Sequence, residues 1–393
     1  MSNIESIQNS LLEMKLDGWL FCSFRGSDPF APRILCLGDQ GHTTRRWFCF
    51  IPAKGLPIKI VHAIEKDKLD AVTGETIIYS SWQKLHEAIK TALGESKKIA
   101  MQYSPMNDIP YVSCVDGGTI DLVRSMGLEV ASSAELIAKF EAVFSDYQTE
   151  THIYASKSLR KIVDATFSEV GRRLSCSIKT TEYDIQQYIL SMFEKDGLIT
   201  SSAPVAAVNE NTANPHYEPT ASHSREVKKG DFLLIDLWGK KKEPSSVYAD
   251  ITWTAFLGED IPDKYNNVFS IVRDARDAAF NLVYDRIKKG EIVRGFEVDD
   301  AARNVITQAG YGKYFIHRTG HSIGEEVHGP GTHIDNLETR DSRIILPSSC
   351  FSLEPGIYLE GDFGIRTEID VYIDGSEARS YGLPHQEHIV SIV

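Results

Sequence analysis

No two of the six cysteines, at positions 22, 36, 49, 114, 176 and 350, stand in Cys-x-x-Cys spacing. Scattered in this way they read as reduced thiols packed as small apolar groups, in a chain from a reducing compartment. No apolar run approaches about 18 residues, so no membrane span is expected. The first residues, Met-Ser-Asn-Ile-Glu-Ser-Ile-Gln, carry neither the basic nor the long apolar segment of a secretory signal, and a cytoplasmic protein is expected. Positive charge is not in excess either. The formal net charge of −13 disfavours nucleic acid, whose phosphates need a basic face. A phosphate loop and a dinucleotide fingerprint are both absent. What is present is ordinary for a globular chain: 42% apolar and 25% charged residues over 393 positions, enough for two domains.

The first part of the chain alternates strands with helices. Helical periodicity at 6–15 is followed by a buried strand at 19–24. Strands at 46–52 and 58–62 form a hairpin-like pair, a helix covers 81–93 and a further strand 98–103. This pattern predicts an α/β layer domain over residues 1–145. Arg25, Asp28, Arg45 and Arg46 fall near strand ends and read as solvated loop residues or as a reach into a neighbouring site. A second domain is expected over 150–393. It opens with an amphipathic helix at 151–174 and a second helix from Thr181, a good N-cap, to about Lys195.

The chemistry lies further on. Asp236 sits in Leu-Ile-Asp-Leu-Trp and Asp250 in Ala-Asp-Ile-Thr-Trp-Thr, two strands that an antiparallel pairing would set side by side. His321 follows in His-Arg-Thr-Gly-His, Glu354 in Glu-Pro-Gly-Ile-Tyr and Glu368 in Gly-Ile-Arg-Thr-Glu. Burying one carboxylate in an apolar strand is costly unless it is paired or binds a cation. Four carboxylates and one imidazole in such places suit two hard or borderline divalent ions with bridging carboxylates, holding and deprotonating a water as nucleophile. The run 364–371 reads as one strand with Arg366, Glu368 and Asp370 on one face. His216 lies in a loop, and His317 and His328 flank His321 among glycines that let the backbone approach a ligand closely.

These motifs in this order resemble the pita-bread metallopeptidases, a family that includes methionine aminopeptidase, Xaa-Pro aminopeptidase and Xaa-Pro dipeptidase (prolidase), with creatinase as a metal-free relative. The resemblance implies an α+β fold class, a C-terminal pita-bread (creatinase/aminopeptidase) domain preceded by a smaller α/β creatinase-like N-terminal domain. It implies two divalent metal ions, manganese first, with cobalt, zinc and iron as alternatives. The ligands would be Asp236, Asp250, His321, Glu354 and Glu368, with Glu354 also moving the proton. His328 and His216 match positions that bind the scissile carbonyl. His317 and Arg366 match positions that bind substrate or, for Arg366, support the metal site. Trp253 stands where the family commonly has Arg.

The implied activity is removal of an N-terminal residue from Xaa-Pro peptides or dipeptides through a metal-bridging hydroxide, in a homodimer, with no nucleic-acid or membrane partner. Two other readings are weighed against it: a hydrolase or lyase of a small non-peptide metabolite on the same fold, and a metal-free binding protein. The presence of all five ligands disfavours the last.

Overall fold

In the computed structural model, which describes residues 4–39 and 41–393, the apolar runs of the first third pair into a mixed sheet. Its strands are β1 (Gly18–Ser23), β2 (Trp47–Pro52), β3 (Ile58–His62), β4 (Glu75–Tyr79), β5 (Lys98–Met101) and β6 (Glu129–Ser132), in the order β4-β3-β2-β1-β5-β6. Side chains alternate across a strand, so a strand buried on both faces reads as a continuous apolar run. β1 does this: Trp19 and Phe21 join one apolar cluster, Leu20 and Cys22 the other. Helices α1 (Ile4–Glu13), α2 (Ala31–Ile34) and α5 (Ala134–Glu141) contribute to the first cluster. Helices α3 (Trp82–Leu93) and α4 (Gly117–Ser125) contribute to the second. Asp28 departs from the expectation of a solvated loop residue. It is buried, caps α2 by accepting from the Phe30 and Ala31 N–H groups, and takes a third bond from Gln102 Nε2. Arg25 and Arg45 are exposed as expected.

The chain divides into two units, Met1–Glu141 and Ala142–Val393. The second opens with helix α6 (Asp146–Ser175), started by a capping box between Ser145 and Gln148, and α7 (Glu182–Lys195), started by Thr181 and Asp184. Then come β7 (Leu198–Ile199), β8 (Val205–Val208), β9 (Phe232–Lys241) and β10 (Ala249–Phe256). Two long helices follow, α8 (Asp263–Lys288) and α9 (Gly295–Gln308). The remaining strands are β11 (Ser322–Ile323), β12 (Cys350–Leu353), β13 (Gly356–Leu359), β14 (Phe363–Arg366), β15 (Ile369–Asp374), β16 (Glu377–Arg379) and β17 (Val390–Ser391).

One sheet runs β17-β10-β9-β7, with β8 also on β9; another runs β11-β12-β15-β16; β13 and β14 form a separate hairpin. Leu233, Ile235 and Leu237 of β9 pack with α6 and α7. The alternate residues, Asp236 among them, therefore face the other way. Helices α8 and α9 pack against Phe351, Leu353, Ile357, Ile365 and Val371 of the later strands. Each sheet thus turns an apolar face to a helix pair and keeps its polar positions for the interior. This is the pita-bread α+β architecture. None of the helices among the described residues is long and apolar enough to cross a membrane.

Candidate metal centre

Strand pairing explains how the acidic residues meet. In the β9–β10 ladder Asp236 lies opposite Thr252 and Asp250 opposite Trp238. The two aspartates are thus diagonal neighbours on one face rather than directly side by side. The second pair comes from a bent hairpin. The run 364–371 is not one strand: it breaks at Thr367–Glu368, where the chain leaves β13 and joins β12. The facing strand breaks at Glu354–Pro355. Proline at 355 has no N–H to give to the ladder. Gly356 pairs with Arg366 and Leu353 with Ile369, so the register is unbroken across the gap and Glu354 lies opposite Glu368.

His321 is delivered by the segment before β11. The Ser352 N–H donates to the His321 carbonyl at 2.8 Å, and the His321 N–H donates to Ser352 Oγ at 3.0 Å. Gly320 permits this approach, because a Cβ there would stand 1.9 Å from the Ser352 carbonyl oxygen. Gly320→Ala is therefore expected to cost about 3 kcal/mol of stability and to displace His321. Thermal unfolding and a metal titration of the variant check both. Asp299, fully buried on α9, anchors the same segment by accepting from the Thr319 N–H (2.9 Å) and Thr319 Oγ1 (2.6 Å).

Acceptor atoms converge where these elements meet. Asp250, His321 and Glu368 each offer an atom, and these atoms lie within 4.8 Å of one another. His321 Nδ1 is 3.2 Å from the Ser322 carbonyl oxygen, to which it donates, so the lone pair is on Nε2. That lone pair faces Glu354 Oε1 at 3.3 Å and Asp250 Oδ2 at 3.7 Å. Asp236 Oδ1, Asp250 Oδ1 and Glu368 Oε1 are buried without a hydrogen-bond donor. Buried acceptors left this way are strongly unfavourable unless a cation or protons lie between them. The donor set of carboxylate oxygens and one neutral imidazole fits a divalent ion such as Mn(II), Fe(II), Co(II) or Zn(II).

Electrostatics without the cation point the same way. Burial, then the charges of Glu368 and Asp236, hold Asp250 well above the usual carboxylate range. Burial, then Glu354 and Asp236, do the same to Glu368. Burial raises Glu354 to about 7, with Arg366 opposing and Asp236 adding to the shift. Burial, then His328 and Arg318, push His321 well below the ordinary histidine value, which keeps its imidazole neutral as a ligand must be.

The surrounding shell includes residues with no role assigned from sequence. The Asp250 N–H donates to Asp370 Oδ2 at 2.8 Å, and Thr252 Oγ1 donates to Glu368 Oε2 at 2.8 Å. Arg366 pairs with Asp236 through Nη2, donates to Thr252 Oγ1 through Nε at 3.2 Å, and to the Tyr358 hydroxyl through Nη1 at 2.9 Å. His317 Nδ1 donates to the Arg318 carbonyl (2.7 Å), so its Nε2 accepts from the Tyr358 hydroxyl (2.8 Å). Both ring nitrogens of His317 are thus engaged inside the protein, and Tyr358 links them to Arg366 and Asp236. Tyr358→Phe would leave His317 Nε2 and an Arg366 N–H unpartnered. A loss of about 1–3 kcal/mol is expected, read by denaturant unfolding. His333, also missed, accepts the Ser322 N–H on Nδ1 at 3.1 Å and steadies the strand beside His321.

The two remaining histidines stand at the open side. The His328 ring lies edge-on to His321 with centroids 4.3 Å apart. Desolvation, then nearby Arg318 and His216, lower His328 to about 4. His216 is exposed on the loop after the 3₁₀ turn Asn209–Ala213.

Residues 155–375, which include every residue of this centre, match metallopeptidase family M24, and the chain belongs to that family. It is a metallopeptidase. An Xaa-Pro dipeptidase of Lactobacillus delbrueckii subsp. lactis is 27% identical over 93% of this chain and 92% of its own length. Among solved structures, a dipeptidase PepE from Mycobacterium ulcerans superposes with a TM-score of 0.71 at 20% identity, covering 99% of this chain and 97% of the other. A prolidase from Thermococcus sibiricus gives 0.62 at 22% identity, covering 99% and 98%. Likeness to these two structures speaks to the fold alone.

Proposed function

We propose that the chain hydrolyses the bond between an N-terminal residue and proline, with two divalent ions held by Asp236, Asp250, His321, Glu354 and Glu368. The observation that carries this reading is the convergence of buried acceptor atoms from β9, β10 and the bent hairpin with no donor between them. Asp236 and Asp250 would hold one ion, His321 and Glu354 the other, with Asp250 and Glu368 shared. The oxygen-rich set suits manganese. Bound there, the ions supply a water of lowered pKa as nucleophile and polarise the scissile carbonyl.

The chain's own groups do the rest. Glu354, whose Oε1 lies 3.3 Å from His321 Nε2, is placed to take a proton from the water and return it to the leaving nitrogen. That nitrogen belongs to proline, which has no amide N–H and a fixed φ, and so needs a dedicated site. His328 and His216 donate to the carbonyl oxygen as charge develops on it. His317 and Arg366 act through their internal bonds, holding Tyr358 and Asp236 in place. The likeness to an Xaa-Pro dipeptidase over nearly the whole of both chains supports the proline preference. A homodimer belongs to the same reading, and sedimentation at twice the chain mass tests it.

The deciding experiment incubates the manganese-loaded chain with Xaa-Pro, Xaa-Pro-peptide and Xaa-Ala substrates. Release of the first residue from at least one proline substrate is expected, with kcat/KM about 10-fold or more above Xaa-Ala, the discrimination one pocket can supply. With metal bound, cleavage of neither proline substrate would end the proposal.

A further inference from the structure

The first residue of α7 has a fully buried side chain, Glu182, which makes no contact with the metal ligands. Its Oε1 accepts from the Val208 N–H at 2.7 Å and from Asn211 Nδ2 at 2.9 Å. Its Oε2 accepts from the Tyr217 hydroxyl at 2.6 Å and the Arg225 N–H at 2.7 Å. All four donors belong to one stretch, 208–225, and His216 lies inside it. One carboxylate therefore ties the stretch at its start, in its 3₁₀ turn, beside His216 and at its end.

Other ties lie at the start of the stretch and in its 3₁₀ turn: Val208 pairs with Leu233 of β9, Asn209 Nδ2 donates to Asp231 Oδ1 at 2.7 Å, and Asn209 Oδ1 accepts from the Phe232 N–H at 3.0 Å. The Gly364 N–H donates to Thr212 Oγ1 at 2.8 Å, joining the stretch to the strand that carries Arg366. The His216 N–H reaches only Asn214 Oδ1, at 3.1 Å, within its own turn. The ring itself is exposed and makes no hydrogen bond among the described residues, so the path of the loop governs where it stands.

We infer that Glu182 is a positioning residue: it fixes loop 208–225 so that His216 stands beside His328 at the open side of the metal centre. The inference rests on the proposed peptidase reading, in which those two histidines meet the scissile carbonyl. A carboxylate is required because it offers only acceptors, and the site presents donors from four residues. In Glu182→Gln, the amide NH₂ must face either the Val208 N–H or the Arg225 N–H, whichever way it turns. One buried backbone donor then loses its partner. Misplacing a group by a fraction of a bond length in this way costs rate without touching the chemistry itself.

The test uses the full chain loaded with manganese, in four forms: native, Glu182→Gln, His216→Ala and the double variant. Hydrogen exchange of 208–225, which needs no substrate, is expected to speed up by about 10-fold or more in Glu182→Gln, with metal stoichiometry unchanged. On an Xaa-Pro substrate, Glu182→Gln is expected to lower kcat/KM by about 10- to 100-fold in the native background. In the His216→Ala background it should lower it by less than about 3-fold, because the residue it positions is gone. Unchanged exchange, or equal losses in both backgrounds, overturns the assignment. If Glu182→Gln does not fold, Tyr217→Phe removes one of the four donors and must show the same non-additivity on a smaller scale. If the native chain cleaves no proline substrate, the peptidase reading fails, and the exchange measurement still decides whether Glu182 holds the loop.

Discussion

Glu354→Gln is expected to lower kcat by about 10³-fold or more while the protein still folds and binds metal. Glutamine keeps the shape of the side chain and an oxygen that can face His321. It cannot accept the proton from the nucleophilic water or hand it to the proline nitrogen, a role worth about 10²- to 10⁴-fold by itself. It is also a weaker ligand, so the loss should fall at the upper end. The neighbours of Glu354 sharpen the expectation. Ser352 Oγ donates to Oε1 at 3.2 Å, and Arg366 Nε is 3.9 Å from Oε2, so the side chain is held from two sides and a glutamine would stay in place. Steady-state kinetics on an Xaa-Pro substrate, with metal content measured on the same samples, checks the prediction. A kcat within about 3-fold of native would remove Glu354 from proton transfer.

Removal of the ions is expected to abolish turnover and to cost more stability the higher the pH. In the metal-free chain Asp250 and Glu368 are held above their ordinary values by burial first and by neighbouring charge second, Asp370 is held up by burial against the hydrogen bond from the Asp250 N–H, and Glu354 is raised to about 7. A raised folded pKa means that the folded state binds more protons than the unfolded one. The stability these groups contribute is then complete below about pH 4 and lost as pH rises through the folded values. For Glu354 the loss is about 3 kcal/mol once pH has passed 7. In the metal-free chain this share of the stability falls as pH goes from about 5 to about 8, while buried histidines such as His152, His321 and His328, whose values are lowered, favour the folded state more as pH rises toward their unfolded value. Metal binding must displace those protons, so the rise in melting temperature on loading should grow over the same range. Scanning calorimetry with and without manganese, and titration calorimetry in buffers of different ionisation enthalpy, check the two parts. A metal-induced rise in melting temperature that does not grow over this range would mean that the carboxylates are not crowded as described.

The candidate ligands stood out in the sequence because charge in an apolar strand is conspicuous one residue at a time. Asp236 and Asp250 interrupt runs of Leu, Ile and Trp, and Glu354 precedes a proline that must end a strand. How they meet was less legible. The stretch 364–371 alternates like a single strand, and nothing local marks the break at Thr367–Glu368, which exists only because two different partners claim its halves. The two helices that open the second domain were read closely, 151–174 against Asp146–Ser175 and Thr181 to about Lys195 against Glu182–Lys195, because their apolar periodicity and N-cap leave little choice. The edge strand Glu75–Tyr79 was not read, and its largely exposed pattern says why: an edge strand lacks the apolar signal that betrays a buried one. Tyr358 and Asp370 were in view inside quoted motifs but had no assigned function, because hydroxyl and carboxylate roles in a shell depend on contacts far apart in the chain. Glu182, the first residue of α7, suits the positive start of a helix, and nothing local marks it further. Its four bonds to a loop 26 to 43 residues away could not be seen from there.

The bent hairpin between residues 350 and 374 bears on the order in which the chain assembles. It closes around one short turn and needs only its own residues to bring Glu354 opposite Glu368. The β9–β10 hairpin likewise aligns Asp236 and Asp250 from within. Between them lie α8, α9 and the loop that carries His321, so joining the two hairpins closes a far longer stretch of chain than closing either. Loop-closure entropy falls on that junction. A divalent ion held by both hairpins would then be a clasp across a long circuit, and its loss should be felt at the seam between them, with each hairpin still formed.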